Sequence, residues 1–201
     1  SSTTESITVE IHDGDTVVYS QNADVEISPG ESQYTFATTI EDVRQWSAEH
    51  PNQYSLSISL GDELITQRIG FRTVEITNGR FMVNGKLVKL KGVNLHEHHE
   101  VTGHVVDEAT MQKDIELMKA SNMNAVRNSH YPHQERWYEL TSEHGLYMID
   151  ESNIESHGYG YDHDKTLGNK PHWKDHHLDR TQRMLERSKN FPSVVIWSLG
   201  N

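Results

Sequence analysis

The 201-residue chain carries 30 acidic and 18 basic residues, and its formal net charge of −12 argues against a nucleic-acid binder or a polybasic membrane-surface protein. It contains no cysteine, which excludes disulfide scaffolds, thiol catalysis and cysteine-ligated zinc and suits a cytoplasmic protein. No apolar stretch approaches the roughly 18 residues of a membrane span. The sequence opens without an initiator methionine or a signal-like segment, so we expect a piece of a longer protein with one or two domains.

Residues 1–79 show the pattern of short β-strands separated by turns. Two alternating runs flank Asp13-Gly14, which is typical of a hairpin. The predicted strands are Ile7–Ile11, Thr16–Tyr19, Asp24–Ile27, Gln33–Ile40, Tyr54–Leu60 and Glu63–Ile69. Strands at this spacing without a helical period favour an immunoglobulin-like β-sandwich, which we interpret as a support or spacer domain.

A second hairpin is predicted at Asn84-Gly85, and after it strands alternate with helices. In the first helix Met111, Ile115 and Met118 recur at the spacing of an amphipathic helix. The predicted strands are Leu87–Val93, Asn124–Asn128, Leu146–Ile149 and Val194–Leu199, and the predicted helices are Asp107–Ala120, Glu135–Glu143 and Asp175–Lys189.

This βα alternation predicts a parallel sheet. A complete (β/α)8 TIM barrel needs roughly 250 residues, so residues 80–201 hold about four of the eight units. We therefore predict the N-terminal half of a TIM barrel with two open sheet edges, following the sandwich domain of residues 1–79.

Polar and ionisable residues crowd the carboxyl end of each predicted barrel strand, where parallel barrels place their active sites. The strand starts carry no such clusters. This face of the barrel is therefore predicted to be a functional site. Its candidate residues are His96, Arg127, His130, Glu155, His157 and Asn201.

Several of these residues allow more than one interpretation. His96 is not part of a helical zinc motif, because the fifth position of that motif is Glu100. Glu155 and His157 have the spacing of two metal ligands, but a loop salt bridge fits equally well. Arg127 is either a buried cation that orients carboxylates or half of a structural ion pair. The other histidines assigned to the surface or to helices are His133, His144, His163, His172, His176 and His177.

Four ordered motifs lie in Gly92–His99, Asn124–Pro132, Tyr147–Gly158 and Asn190–Asn201. Together with Trp46–Asn52 and Gly70–Thr73 they resemble glycoside hydrolase family 2, specifically its large β-galactosidases. The resemblance covers almost the whole chain beyond about residue 40. The segment Asn153–Gly158 favours the galactosidase branch over the glucuronidase branch of the family.

The resemblance implies hydrolysis of terminal non-reducing β-D-galactosides, such as lactose, by a retaining mechanism with two glutamates. The family's acid/base glutamate directly follows the pair that matches Gly200-Asn201, and its nucleophile lies on a later strand. Neither catalytic carboxylate is therefore expected within this chain, which we predict to be inactive alone. The expected partner is a β-galactoside, with no nucleic acid and no membrane, and the parent protein is expected to be a homo-oligomer.

The resemblance also implies roles for the candidate residues. Asn201 matches the asparagine that contacts the sugar 2-hydroxyl, and His96 and His130 match histidines that line the sugar site. With Arg127, these histidines are expected to support the transition state. Glu155 and His157 match two ligands of Mg²⁺, whose third protein ligand is the acid/base glutamate, so Mg²⁺ binding by this chain is expected to be weak or absent.

Sodium is a further cofactor expected for the parent protein. The sequence departs from the family at Leu95, where arginine is common, and at Glu100–Gly103, which replaces a proline-containing loop.

Two other hypotheses about the function remain open from the sequence. One is a metal-dependent hydrolase that uses the histidine and glutamate clusters as ligands, and the other is a non-catalytic module.

Overall fold

A computed structural model describes residues 2–201 of the chain. The chain divides into two compact units. One contains the residues up to Trp46 together with Asn52–Phe71, and the other contains Ser47–Pro51 together with Arg72–Asn201. Among the described residues, no helix combines the length and apolar character that crossing a bilayer requires.

The first unit is built on a four-stranded antiparallel sheet in the order β2-β1-β3-β4. Its strands are β1 (Thr3–Asp13), β2 (Thr16–Ile27), β3 (Tyr54–Leu60) and β4 (Glu63–Ile69). The hairpin predicted at Asp13-Gly14 is confirmed, and so are the two strands predicted around Gly61. The predicted strand Asp24–Ile27 is the end of the long β2, which pairs with β1 from Thr16 to Ile27 with one shift in register between Ile11 and His12.

The strand predicted for Gln33–Ile40 is wrong, because this segment is irregular. Only Phe36 and Ile40 in it are even half-buried, so the alternating side chains have no apolar surface to cover. The Tyr34 hydroxyl instead donates a hydrogen bond to the backbone oxygen of Glu26 over 2.6 Å. Alternation alone does not make a strand where no neighbouring strand offers paired hydrogen bonds and a buried face.

The second unit begins with a small antiparallel sheet of β5 (Val74–Thr77), β6 (Arg80–Val83) and β7 (Lys86–Leu87). The hairpin at Asn84-Gly85 is confirmed as the connection between β6 and β7. The strand predicted for Leu87–Val93 is wrong in its position, because the barrel strand β8 spans Gly92–Leu95. The Asn124 side chain accepts from the Lys91 backbone nitrogen over 2.7 Å and donates to the Lys89 oxygen over 3.2 Å, which takes up backbone groups that a strand would pair.

The remaining elements alternate as predicted. Three further strands, β9 (Ala125–Asn128), β10 (Tyr147–Glu151) and β11 (Val194–Ser198), join β8 in a parallel sheet with the order β11-β10-β9-β8. The helices are α1 (Glu108–Ala120), α2 (Glu135–His144) and α3 (Lys174–Ser188). The strands are therefore parallel and follow one another across the sheet in chain order with helices between them, as in a partial barrel.

A core of apolar side chains lies between the helices and one face of this sheet. Met111, Ile115 and Met118 are buried on α1, as their spacing predicts. They pack in one cluster that includes Val126 of β9 and Met148 of β10. Because side chains alternate along a strand, the residues next to these two point to the opposite face of the sheet, where the candidate site lies.

Candidate active site

Arg127 at the end of β9 and Glu151 at the end of β10 form a bidentate ion pair. The Arg127 Nε lies 2.7 Å from Glu151 Oε2, and Nη2 lies 2.9 Å from Oε1. The Glu151 side chain is fully buried, whereas 25% of the Arg127 side chain is exposed. Arg127 therefore pairs with a buried carboxylate, which both interpretations of the sequence allow. Its other polar contacts, described below, show which groups it orients.

Glu151 accepts two further hydrogen bonds. His130 Nδ1 lies 2.7 Å from Oε1, and the Ser198 hydroxyl of β11 donates to Oε2 over 2.7 Å. Burial alone would raise the pKa of Glu151, but the hydrogen bonds from Arg127, Ser198 and His130 outweigh it and hold the pKa below its usual range. The carboxylate is therefore ionised and joins residues from three neighbouring strands.

Asn201 and Glu155 extend this arrangement. The Asn201 Oδ1 accepts a hydrogen bond from Arg127 Nη2 over 3.2 Å, and its Nδ2 donates to Glu155 Oε2 over 2.9 Å. The Asn201 backbone is fixed as well, because its nitrogen donates to the Ile154 oxygen over 2.9 Å. The residues Arg127, His130, Glu151, Glu155 and Asn201 form what we call the strand-end cluster.

His96 borders the strand-end cluster without a direct hydrogen bond to it. Its ring meets the His130 ring edge-on, with 5.2 Å between centroids, and lies 6.2 Å from the Tyr131 ring. His96 is exposed, and 24% of the His130 side chain is accessible. Both imidazoles are therefore at least partly accessible, and imidazole nitrogen atoms can bind hydroxyl groups.

His157 does not join the cluster through its side chain. Its backbone nitrogen donates to Glu155 Oε1 over 2.9 Å, while its imidazole packs on the Tyr161 ring at 5.5 Å between centroids. Partial burial raises the pKa of Glu155, but the hydrogen bonds from Asn201 and the His157 backbone outweigh it and lower the pKa. Both oxygens of this carboxylate are thus already hydrogen-bonded within the chain.

Magnesium prefers six oxygen ligands in octahedral geometry, a few of them carboxylates. Within residues 2–201, no group of three or more histidine, cysteine, aspartate or glutamate side chains is placed to hold a metal ion. Glu155 offers one carboxylate, and the imidazole of His157 faces Tyr161. These two residues alone do not make a magnesium site, so no chemical step can be assigned to a metal here.

Asp150 lies on the opposite face of β10 and belongs to a separate buried network on the helix side of the sheet. Tyr138 and Asn128 donate to Asp150 Oδ1 over 2.7 and 3.2 Å, and Arg187 donates to the Tyr138 hydroxyl over 2.7 Å. Burial raises the pKa of Asp150 and outweighs the opposing hydrogen bonds from Tyr138 and Asn128. This network attaches α2 and α3 to the sheet and contributes no group to the site.

The assignment of His133 to the surface or a helix is wrong. It precedes α2, only 2% of it is exposed, and burial, reinforced by the nearby His96, lowers its pKa to about 4. Glu151, the carboxylate with the most partners in the cluster, was not singled out from the sequence. Its signal in the sequence is its place at the end of β10, directly after Asp150 in the polar run that follows the apolar part of the strand.

Family models cover nearly the whole chain. The model described as "Glycosyl hydrolases family 2, TIM barrel domain" matches residues 74–201, and "Glycosyl hydrolases family 2" matches residues 1–72. The chain belongs to glycosyl hydrolase family 2. This confirms the family resemblance and the predicted fold class, a sandwich domain followed by part of a TIM barrel.

Curated relatives and solved structures agree on the family. The β-galactosidase of Alteromonas mediterranea is 43% identical over 96% of this chain and 20% of its own length, and that of Vibrio cholerae is 50% identical over 78% and 16%. The chain thus spans about a fifth of the first of these relatives. Among solved structures, a β-glucuronidase from Ruminococcus gnavus has a TM-score of 0.80 at 27% identity, covering 98% of this chain and 32% of that one. A β-glucuronidase from an uncultured Clostridium has a TM-score of 0.82 at 28% identity, with the same two coverages.

Proposed function

We propose that the complete protein hydrolyses terminal non-reducing β-D-galactosides with retention of configuration, and that this chain supplies one side of the sugar site. The observation that carries the proposal is the strand-end cluster, a hydrogen-bonded set of polar side chains at the carboxyl ends of parallel strands. Its neighbouring imidazoles, His96 and His130, suit the recognition of sugar hydroxyls. The relatives named β-galactosidase support the choice of reaction.

The two catalytic carboxylates of a retaining glycosidase have to be free to protonate and to attack. Glu151 is fully buried and accepts four hydrogen bonds, and both oxygens of Glu155 accept one. Neither is suited to act as nucleophile or acid. From the family resemblance we propose that the acid/base glutamate follows Asn201 directly, that the nucleophile lies on a later strand, and that this chain alone is inactive.

Hydrolysis of β-glucuronides is the second candidate, because the solved structures similar to this chain include β-glucuronidases. A glucuronide carries a carboxylate that needs a free cation or several donors. Arg127 is the cation of the cluster, and its nitrogens donate to Glu151, Asn201 and Asn94. This favours an uncharged sugar, as does the higher identity to the β-galactosidases.

We propose that Glu155 and His157 contribute to a Mg²⁺ site only in the complete protein, where a further glutamate is expected beside them. For this chain alone we expect weak Mg²⁺ binding or none, because no third ligand is placed among its described residues. Sodium binding and homo-oligomeric assembly of the complete protein remain proposals drawn from the family resemblance.

The test is hydrolysis of an aryl β-galactoside beside the matching β-glucuronide, by the complete protein and by this chain, with and without Mg²⁺. We expect turnover of the galactoside by the complete protein alone. In that protein His130→Ala should lower kcat/KM, whereas His144→Ala, at an exposed position at the far end of α2, should not. Turnover by the isolated chain would contradict the two-glutamate mechanism. Turnover of the glucuronide but not of the galactoside would show that the substrate is a β-glucuronide.

A further inference from the structure

Glu151 is a buried carboxylate at the candidate site, although the proposed reaction does not use it as nucleophile or acid. Its side chain is fully buried, and it is the residue after Asp150, whose carboxylate serves the opposite face of the sheet. The register pairs Glu151 with Ser198 on β11, and Arg127 lies on the other neighbouring strand. Glu151 therefore contacts side chains from both sides while it remains out of reach of a sugar.

The hydrogen bonds of Glu151 use its full acceptor capacity. Oε1 faces His130 Nδ1 at 2.7 Å and Arg127 Nη2 at 2.9 Å, and Oε2 faces Arg127 Nε and the Ser198 hydroxyl, both at 2.7 Å. An ionised carboxylate offers about four lone-pair positions and no hydrogen. Each of these four partners must therefore be the donor, and that includes Nδ1 of His130.

A competing arrangement would make Nδ1 an acceptor, because Arg127 Nη2 also lies 3.2 Å from it. However, Nη2 has only two hydrogens, and it has two closer or equal acceptors in Glu151 Oε1 at 2.9 Å and Asn201 Oδ1 at 3.2 Å. A bare Nδ1 would also place its lone pair 2.7 Å from the carboxylate oxygen, which is repulsive. The hydrogen-bond geometry thus favours a proton on Nδ1.

The other ring nitrogen of His130 has no such partner in the cluster. Nε2 lies 4.0 Å from Glu155 Oε2, beyond hydrogen-bond distance, and that oxygen already accepts from Asn201 Nδ2 at 2.9 Å. The His130 side chain is 24% accessible. In the neutral imidazole with a proton on Nδ1, Nε2 carries a lone pair and accepts a hydrogen bond.

We propose that Glu151 is a positioning residue of the sugar site: by accepting the Nδ1 proton of His130 it fixes the ring as the Nδ1-protonated tautomer, so that Nε2 accepts a hydrogen bond from a substrate hydroxyl. The same carboxylate holds the Arg127 guanidinium beside Asn201. The substrate in this inference rests on the proposed function, but the tautomer does not.

The first test is neutron diffraction from deuterated crystals of the complete protein at about pH 8. We expect deuterium on His130 Nδ1 and none on Nε2. Deuterium on Nε2, with or without deuterium on Nδ1, would overturn the inference. The measurement needs no turnover, so it decides the tautomer even if the complete protein fails to cleave galactosides and the proposed function falls.

The second test is a double-mutant cycle on kcat/KM for an aryl β-galactoside. Glu151→Gln should lower kcat/KM by about 10- to 100-fold in the otherwise unchanged protein, as loss of an orienting partner does. In a His130→Ala background the loss should shrink to about threefold. The matched control is Asp150→Asn, a change to the neighbouring buried carboxylate on the opposite face, whose effect should be the same in both backgrounds.

Equal losses from Glu151→Gln in the two backgrounds would mean that Glu151 supports the fold without acting through His130, and would overturn the proposal. If Glu151→Gln prevents folding, the neutron map of the unchanged protein still decides it. Ser198→Ala, which removes another donor to Glu151, should leave deuterium on Nδ1.

Discussion

At the scale of single residues, the pair of Arg127 and Glu151 differs from the other arginine–carboxylate pairs in its burial. Arg127→Ala would leave a fully buried carboxylate without its only permanent positive partner. Because an uncompensated buried charge is strongly unfavourable, we expect the free energy of unfolding to fall by about 3 kcal/mol, measured by urea denaturation followed by tryptophan fluorescence.

Arg183→Ala is the matched control for that change. Arg183 pairs with Asp179 at 2.9 Å on α3, but the two side chains are 79% and 56% exposed, so the same truncation should alter stability by less than about 0.5 kcal/mol. Similar losses from the two variants would show that the Glu151 carboxylate is solvated or neutral in the folded chain.

His133 provides a prediction about pH. Burial lowers its folded-state pKa to about 4 from an ordinary value of 6.5, so between these values the unfolded chain binds more protons than the folded chain. The contribution of this histidine is therefore complete above pH 6.5 and lost as the pH falls to about 4. The loss amounts to about 3 kcal/mol, since one pKa unit corresponds to about 1.4 kcal/mol.

His133→Phe should remove this part of the pH dependence, which urea denaturation at a series of pH values would measure. The raised pKa of Asp150 acts with the opposite sign, but it is present in both proteins and cancels in the difference. His144→Gln, on an exposed position of α2, should leave the profile unchanged. A slope that His133→Phe does not alter would mean that His133 is protonated in the folded state.

These residues also show where a sequence stops being informative. The position of a polar residue at a strand end predicted the neighbourhood of Arg127, His130 and Asn201, because parallel strands bring their carboxyl ends together. The hydrogen-bond partners of Glu151 depend on the register between β9, β10 and β11, which no local pattern encodes. The burial of His133 depends likewise on the packing of α2 against the sheet.

At the scale of elements, the sequence predicted correctly the turn and the helix whose formation depends on neighbouring residues in the chain. The Asn84-Gly85 turn and the apolar spacing of α1 were both sufficient, since Asn-Gly suits tight hairpins and the 3.6-residue period defines a buried helix face. Gln33–Ile40 has the alternation of a strand but no partner, and strand formation depends on that partner.

The end of α2 yields a prediction for Gly145. This residue has φ of +74°, and a Cβ atom there would lie 2.2 Å from the backbone oxygen of Ala48. Gly145→Ala therefore combines backbone strain with a clash against main chain that cannot rotate away. Gly85 shares the strain, with φ of +70°, but has no atom within 4 Å of the added methyl group.

We expect Gly85→Ala to lower the free energy of unfolding by about 1 kcal/mol, from the left-handed conformation alone. Gly145→Ala should lower it by about 2 kcal/mol more, because the clash forces the backbone apart. Parallel urea denaturation curves of the two variants measure the difference. Equal losses in the free energy of unfolding would indicate that the backbone around Ala48 moves away from the added methyl group without lowering stability.

At the scale of the whole molecule, the parallel sheet has four strands where a closed barrel has eight. β8 and β11 are the two outer strands of this sheet, so each has one neighbour among the described residues. Apolar side chains are exposed near both edges, with Val93 36% and Leu199 72% accessible. These features fit a sheet that requires further strands to cover its edges.

This arrangement predicts how backbone amides exchange with solvent. In the chain alone, the amides of β8 and β11 that face outward have no ladder partner, so they should exchange quickly, while those of the inner strands β9 and β10 are protected. In the complete protein we expect further barrel strands to pair with both edges and to slow their exchange at least about tenfold. Hydrogen–deuterium exchange followed by mass spectrometry measures both, with β1, an inner strand of the first sheet, as the internal control. If β8 and β11 exchange at the same rate in the chain alone and in the complete protein, no strand pairs with these edges, and the half-barrel interpretation fails.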